Sequence, residues 1–341
     1  MKLSLEEVRS IALGAVRVEE NEAGEINLYR FTKVQEEVYR EVNTDFYNKS
    51  RSTSGVILSF KTNSKALKLS ARVHSASSRK YVSFDLFVNG EYKESLDNFG
   101  DYVFPKLFTK EVFPLGEMEK CFSLGDGEKS VKLYMPWSVR VDIISLEIDD
   151  GATLIPVRPE KKMILWGDSI TQGYDNIRSY GMYSTRLSEG LGAEGFNRGI
   201  AAEKFFAPIC EAKEEISPDY ITVAYGTNDW NKIPKDEFYE RCGTFYRNLS
   251  NNYPDAKIFA ISPIWRKDHA AEDRILGLFS EVEEFILDCV RDLPNVTLVP
   301  GFDLVSHDPD HFGDGRVHPN DMGNEEYGLN LLKKIKKLIE E

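Results

Sequence analysis

The chain has 341 residues, 41% hydrophobic and 12% aromatic, with a formal net charge of −13. That length suits two domains better than one, and the composition supports ordinary cores rather than disorder or low complexity. An acidic surface repels phosphate backbones and anionic lipid, so neither nucleic acid nor membrane is expected as a partner. No apolar run approaches the ~20 residues of a bilayer-spanning helix.

The opening stretch, MKLSLEEVRSIALGAVRVEE, is broken by charges before an apolar core develops, so it does not read as a secretory signal. It predicts a short amphipathic helix: Ser4 can cap it, Glu7 completes a capping box, and Leu5, Val8, Ile11 and Ala12 share one face. The four cysteines (Cys121, Cys210, Cys242 and Cys289) are widely spaced and form no CxxC pair. They read as free thiols in a reducing compartment, which makes a cytoplasmic location the expectation.

From about residue 25 to 150 the apolar period is two. Leu67, Leu69, Ala71 and Val73 alternate with Lys68, Ser70, Arg72 and His74. Val82, Phe84, Leu86 and Val88 form another such face, followed by the hairpin turn Asn89-Gly90. Half-buried strands joined by short turns predict an antiparallel β-sandwich, jelly-roll-like, over residues 1–155. No helix-length pattern interrupts it.

The segment DDGATLIPVRPEKK carries two prolines and no period, and reads as a linker. Beyond it the strands become continuous apolar runs at Met163–Trp166, Ile221–Tyr225, Ile258–Ile261 and Val296–Val299. Helical patterns separate them around residues 182–191, 236–250, 272–292 and 324–340. Strands buried on both faces and alternating with helices predict a parallel sheet in a three-layer α/β/α domain over residues 156–341. Active sites in such sheets lie at the carboxyl ends of the strands.

Three of those ends carry reactive or turn-forming residues. The first strand runs into Gly167-Asp168-Ser169-Ile170-Thr171, which sets a serine at the start of a helix; alone, it could be an ordinary N-cap. Asn197-Arg198-Gly199 follows the second strand and Gly226-Thr227-Asn228-Asp229 the third. A glycine N–H and an asparagine amide are suitable oxyanion donors, although both residues also form plain turns. Serine needs a base, and of five histidines His318, in Asp314-Gly315-Arg316-Val317-His318-Pro319-Asn320 before the last helix, is best placed.

In this order the elements GDSIT, Gly199, GTND and HPN resemble the SGNH (GDSL-like) hydrolase superfamily over about residues 160–341. The resemblance implies Ser169 as nucleophile, His318 as general base, and an oxyanion hole from the Ser169 and Gly199 N–H groups and the Asn228 amide. It usually sets an aspartate three residues before the histidine; here that position is Gly315, and the carboxylate stands at Asp314. Asp314 orients the ring if the loop bulges by one residue; otherwise a backbone carbonyl does so in a Ser–His dyad. The order of a sandwich followed by an SGNH domain resembles family 2 carbohydrate acetyl esterases, which implies small O-acyl esters, chiefly O-acetyl esters of sugars or oligosaccharides.

Competing readings are an acyltransferase using the same acyl-enzyme, a non-catalytic carbohydrate-binding protein working through the sandwich, and a lipase. The last lacks a long apolar lid segment near the motifs. No cofactor or metal is expected: His307-Asp308-Pro309-Asp310-His311 has ligand-type residues, but Pro309 keeps the two histidines from sharing a helix face. Trp230 and Trp265 fall at strand ends, where they serve either the core or a sugar-facing wall.

Overall fold

A computed structural model describes residues 1–340, and it begins with the helix that the capping signal predicts. Ser4 Oγ accepts the Glu7 N–H while the Glu7 carboxylate accepts the Ser4 N–H, and helix α1 (Leu5–Ile11) buries Val8 and Ile11. Strands β1 (Ala12–Leu13), β2 (Arg17–Glu20) and β3 (Ile26–Tyr29) then lead into α2 (Lys33–Val42) and α3 (Thr44–Ser50). Next come β4 (Ile57–Thr62), β5 (Ala66–Ser75), β6 (Ser83–Val88), β7 (Glu91–Asp97), β8 (Glu117–Ser123), β9 (Lys129–Tyr134) and β10 (Val139–Ile148). They form two antiparallel sheets, in the orders β1-β4-β9-β6-β7 and β2-β3-β10-β5-β8. Alternation selects the buried face: Leu67, Leu69, Ala71 and Val73 of β5 share one core with Leu58 and Phe60 of β4 in the opposite sheet.

Helices α2 and α3 correct the expectation of an uninterrupted sandwich. Thr32 and Gln35 form a second capping box, yet α2 buries Gln35, Glu36 and Tyr39 while Val34 and Val42 stay exposed. Val34, Val38 and Val42 do recur at helical spacing, but Val34 and Val42 stay exposed and polar side chains share the buried face. Partners come from other elements: Arg17 donates to Glu36 Oε2 at 2.7 Å, and Gln35 donates to Glu214 at 3.0 Å.

Strand β11 (Ile155–Pro156) still pairs with β4, and the parallel sheet starts at β12 (Lys161–Gly167). It continues through α4 (Ser169–Gln172), α5 (Tyr183–Gly190), β13 (Ala193–Gly199), β14 (Tyr220–Ala224) and α6 (Lys235–Asn252). Then follow β15 (Lys257–Ile261), α7 (Val282–Val290), β16 (Val296–Val299) and α8 (Asp321–Glu340). The strand order is β13-β12-β14-β15-β16, all parallel. Successive β12 residues serve opposite layers: Ile164 and Trp166 pack with Phe238, Phe245 and Phe285 of α6 and α7, and Met163 and Leu165 with Tyr183, Leu187 and Leu331 of α5 and α8. This is a three-layer α/β/α domain. The helix expected over 272–292 is shorter than its pattern, because Gly277 takes φ +115° and interrupts any continuous helix there.

The order reverses at β12, and in open sheets ligands bind in the crevice outside the carboxyl ends beside such a reversal, here those of β12, β13 and β14. Among the described residues no helix is long and apolar enough to cross a membrane, and all four cysteines are free thiols.

Candidate active site

The turn out of β12 is tight. A side chain at Gly167 would collide with Thr171, and Asp168 caps α4 by accepting the Ile170 N–H at 2.9 Å. Ser169 is therefore the first helical residue, with no carbonyl one turn earlier to accept its N–H. Burial pushes the Asp168 carboxyl up to about 6.

Ser169 Oγ lies 2.8 Å from His318 Nε2, and His318 Nδ1 lies 2.7 Å from Asp314 Oδ2. The loop absorbs the displaced carboxylate by turning through Gly315 at φ +65°. It is closed by the Gly313 N–H donating to the His318 carbonyl at 2.9 Å. Asp314 Oδ1 accepts the N–H groups of Arg316 and Val317, each at 2.8 Å, and of His318 at 3.1 Å. Desolvation works to raise the Asp314 pKa, but the His318 bond and charge and these N–H groups outweigh it and hold the carboxylate well below its usual range. Desolvation likewise works to lower the His318 pKa, but the Asp314 bond and the charges of Asp175 and Asp314 win, so the ring pKa is raised.

The turn after β14 is built on a buried carboxylate. Asp229 accepts the N–H groups of Phe205 at 3.1 Å and Gly226 at 3.2 Å, and burial pushes it up to about 7. This fixes Asn228, whose Nδ2 donates one hydrogen to the Glu203 carbonyl at 3.0 Å; the second hydrogen has no acceptor among the described residues.

Gly199 needs correction as an oxyanion donor. Its N–H donates to Asn197 Oδ1 at 2.8 Å in a buried setting, so it is not free. The glycine is needed for another reason: a Cβ there would collide with the backbone of Thr171 and Gln172 in α4. The free amide comes three residues later. Ile200 accepts the Glu203 N–H at 3.1 Å to close a turn, the Ala201 N–H is held by Gln172 Oε1 at 2.8 Å, and exposed Ala202 takes φ +69°. Among the described residues the Ala202 N–H has no partner. An alanine in a turn position that favours glycine leaves no mark in the sequence.

The other marked residues lie apart. His307 Nε2 contacts the Phe302 carbonyl at 3.2 Å and Asp303 at 3.1 Å, whereas His311 Nδ1 sits 2.9 Å from Glu326. The ligand-type side chains that do converge among the described residues are Asp175, Asp314 and His318, but both ring nitrogens of His318 are already engaged. Trp230 is buried and donates to the Gly277 carbonyl at 2.8 Å, and buried Trp265 packs on Phe312 and His307; both are core residues.

Residues 165–326 match the GDSL-like Lipase/Acylhydrolase family. No curated protein matches the chain. Among solved structures, the chain is similar to the salicylyl-acyltransferase SsfX3 from a tetracycline biosynthetic pathway, at 17% identity and a TM-score of 0.76 over 96% of this chain and 94% of that one. A protein from Bacteroides ovatus described as a GDSL-like lipase matches at 20% identity and a TM-score of 0.75, covering 100% and 98%. A family two carbohydrate esterase from Clostridium thermocellum, solved with cellohexaose, matches at 17% identity and a TM-score of 0.62, covering 84% and 93%. Residues 165–326 of the second domain thus match a GDSL-like lipase/acylhydrolase domain, and with the antiparallel β-sandwich before it the chain shares the two-domain fold of the family two carbohydrate esterase.

Proposed function

We propose that the protein is a serine esterase that cleaves small O-acyl esters, chiefly O-acetyl groups on carbohydrates, through an acyl-enzyme on Ser169. The observation that carries this reading is the relay of 2.8 Å from Ser169 Oγ to His318 Nε2 and 2.7 Å from His318 Nδ1 to Asp314. Ser169 attacks the ester carbonyl as His318 Nε2 takes its proton, and Asp314 keeps the other proton on Nδ1 and stabilises the imidazolium. The oxyanion is met by the N–H groups of Ser169 and Ala202 and by the Asn228 amide. His318 then protonates the departing alkoxide, and a water molecule, deprotonated by the same nitrogen, releases the acid and frees the serine.

Acetyl preference rests on what surrounds the serine. Phe205 and Trp230 face the core rather than the crevice, so they add no apolar groove for a long chain. Extra methylenes gain ~0.8 kcal/mol each only where such a groove exists. The name of the Clostridium thermocellum relative supports a carbohydrate ester. The test is a panel of acetylated oligosaccharides beside p-nitrophenyl esters of graded length: kcat/KM should fall from acetate to butyrate and nearly vanish by octanoate. Rates rising with chain length would remove the acetyl assignment.

A second reading, acyl transfer to an alcohol acceptor, is favoured by the sandwich loop beside the histidine. Phe108 donates its N–H to the Gly313 carbonyl at 3.3 Å, and Leu107 lies against Gly315 with 59% of its surface exposed. An apolar rim at that point suits a hydrophobic acceptor. Partitioning of the acyl-enzyme between water and added alcohols separates the two reactions.

A further inference from the structure

His318 faces a second carboxylate that the relay does not use. Asp175, just beyond α4, is fully buried at φ +65°, a backbone region costly for a residue other than glycine. Its Oδ1 accepts the Arg79 Nε–H at 2.6 Å. Its Oδ2 has no hydrogen-bond partner and lies 3.9 Å from His318 Nδ1. A buried carboxylate oxygen without a donor is unfavourable, and it persists where the surroundings hold it for a purpose.

Those surroundings come from both domains. Arg79 belongs to the sandwich, is itself buried, and stacks its guanidinium over the Tyr174 ring at 5.3 Å. Tyr174 in turn packs on the His318 ring, centroids 5.5 Å apart. On the other side, a Cβ at Gly313 would collide with Asp175, so the histidine loop closes directly on this side chain. The charged groups facing the ring are Asp314 on its own loop, Asp175, Arg79 behind it, and Asp168 on the far side of the serine.

We propose that Asp175 is a second positioning carboxylate for His318, held by Arg79 of the sandwich, which takes over the Nδ1 proton's hydrogen bond when Asp314 is withdrawn. The proposal deepens the esterase reading and rests on it for its kinetic arm. At 3.9 Å the two atoms are one modest ring tilt from hydrogen-bond distance. In the resting geometry Asp175 stabilises the imidazolium through space, and Asp314 through contact.

Two measurements test it. In kinetics, Asp314→Ala removes the contact partner and leaves the ring free to tilt, so it should lose about 10²-fold in kcat rather than the ~10⁴-fold of a relay with its only orienting acid disabled. Asp175→Asn alone should lose less than about tenfold, and the double variant should lose at least tenfold more than the product of the single losses. Single losses that simply multiply would overturn the proposal. The second measurement does not depend on activity: an NMR titration of the His318 ring in folded Asp175→Asn. Its pKa should fall relative to the wild type, because a stabilising anion is gone. An unchanged pKa means a purely structural Asp175 and overturns the proposal. A lowered pKa in a protein that cleaves no ester leaves the proposal standing and removes the esterase reading.

Discussion

Arg30 of the sandwich donates to the Asn197 carbonyl at 2.9 Å from a fully buried position, and the same Nη1 reaches the Gly199 carbonyl at 3.2 Å. Its remaining donors go to Ser52 and Lys49, so one guanidinium of the first domain holds the chain that leads to Ala202. Removing that guanidinium leaves buried carbonyls without donors, at about 1–3 kcal/mol for an unsatisfied group. Arg30→Met is expected to lower the unfolding free energy by that order and to reduce kcat as the 200–203 turn loosens. Denaturant melts beside kinetics check both.

The two small residues of the segment proposed to meet the oxyanion should answer oppositely. Ala202→Gly removes the strain of φ +69° and should stabilise by about 0.5–1 kcal/mol with activity kept. Gly199→Ala drives a methyl into the backbone of Gln172 and should destabilise by about 1–3 kcal/mol. Asn228→Ala should leave stability nearly unchanged and cost about 10²–10³ in kcat. Thermal melts and ester kinetics on the three variants separate packing from catalysis.

Asp314→Asn should be worse than Asp314→Ala. Three backbone N–H groups hold Oδ1, so the amide of Asn would present its NH₂ to His318 Nδ1 and force the wrong tautomer. The expected loss is about 10⁴ in kcat, as for triads trapped in that tautomer. In the wild type the base must be neutral, so kcat/KM should fall as pH drops through the raised His318 pKa, above the ~6.5 of a free imidazole. A pH–rate profile with its acid limb below that value would oppose the assignment.

Glu203 supplies a test by stability alone. It is fully buried, accepts from the Tyr225 hydroxyl at 2.6 Å, and burial pushes its carboxyl up to about 8. Between the ~4.5 of the unfolded chain and that value, the folded protein holds a proton that the unfolded one has lost. The contribution is complete below the lower value and disappears as pH rises through the higher one. Glu203→Gln should therefore raise Tm relative to wild type most at alkaline pH. A Tm difference independent of pH would contradict this.

Much of this arrangement was legible, because strand-end motifs are punctuated by residues with few alternative uses. GDSIT, GTND and HPN each follow from a serine, an asparagine or a proline-fixed histidine at the edge of an apolar run. What escaped had physical reasons. Helix α2 carries Val34, Val38 and Val42 at helical spacing, but two of these stay exposed while glutamine and glutamate are buried, against the usual pattern. Gly199 is the conspicuous glycine of its segment, but its amide is tied down, and the free one belongs to an ordinary-looking alanine. Asp175 and Arg79 stand 96 residues apart on different domains, and only the folded interface brings that charge behind the histidine.

Acyl transfer is proposed to run through Ser169, with His318 as its base. Intact-protein mass spectrometry after brief mixing with an activated acetyl ester, followed by peptide mapping, tests it most directly. One acetyl adduct should form on Ser169, be absent from Ser169→Ala, and accumulate far more slowly in His318→Ala. The double variant should be no worse than either single one. An adduct on another side chain, or ester turnover undiminished in Ser169→Ala, would contradict the account.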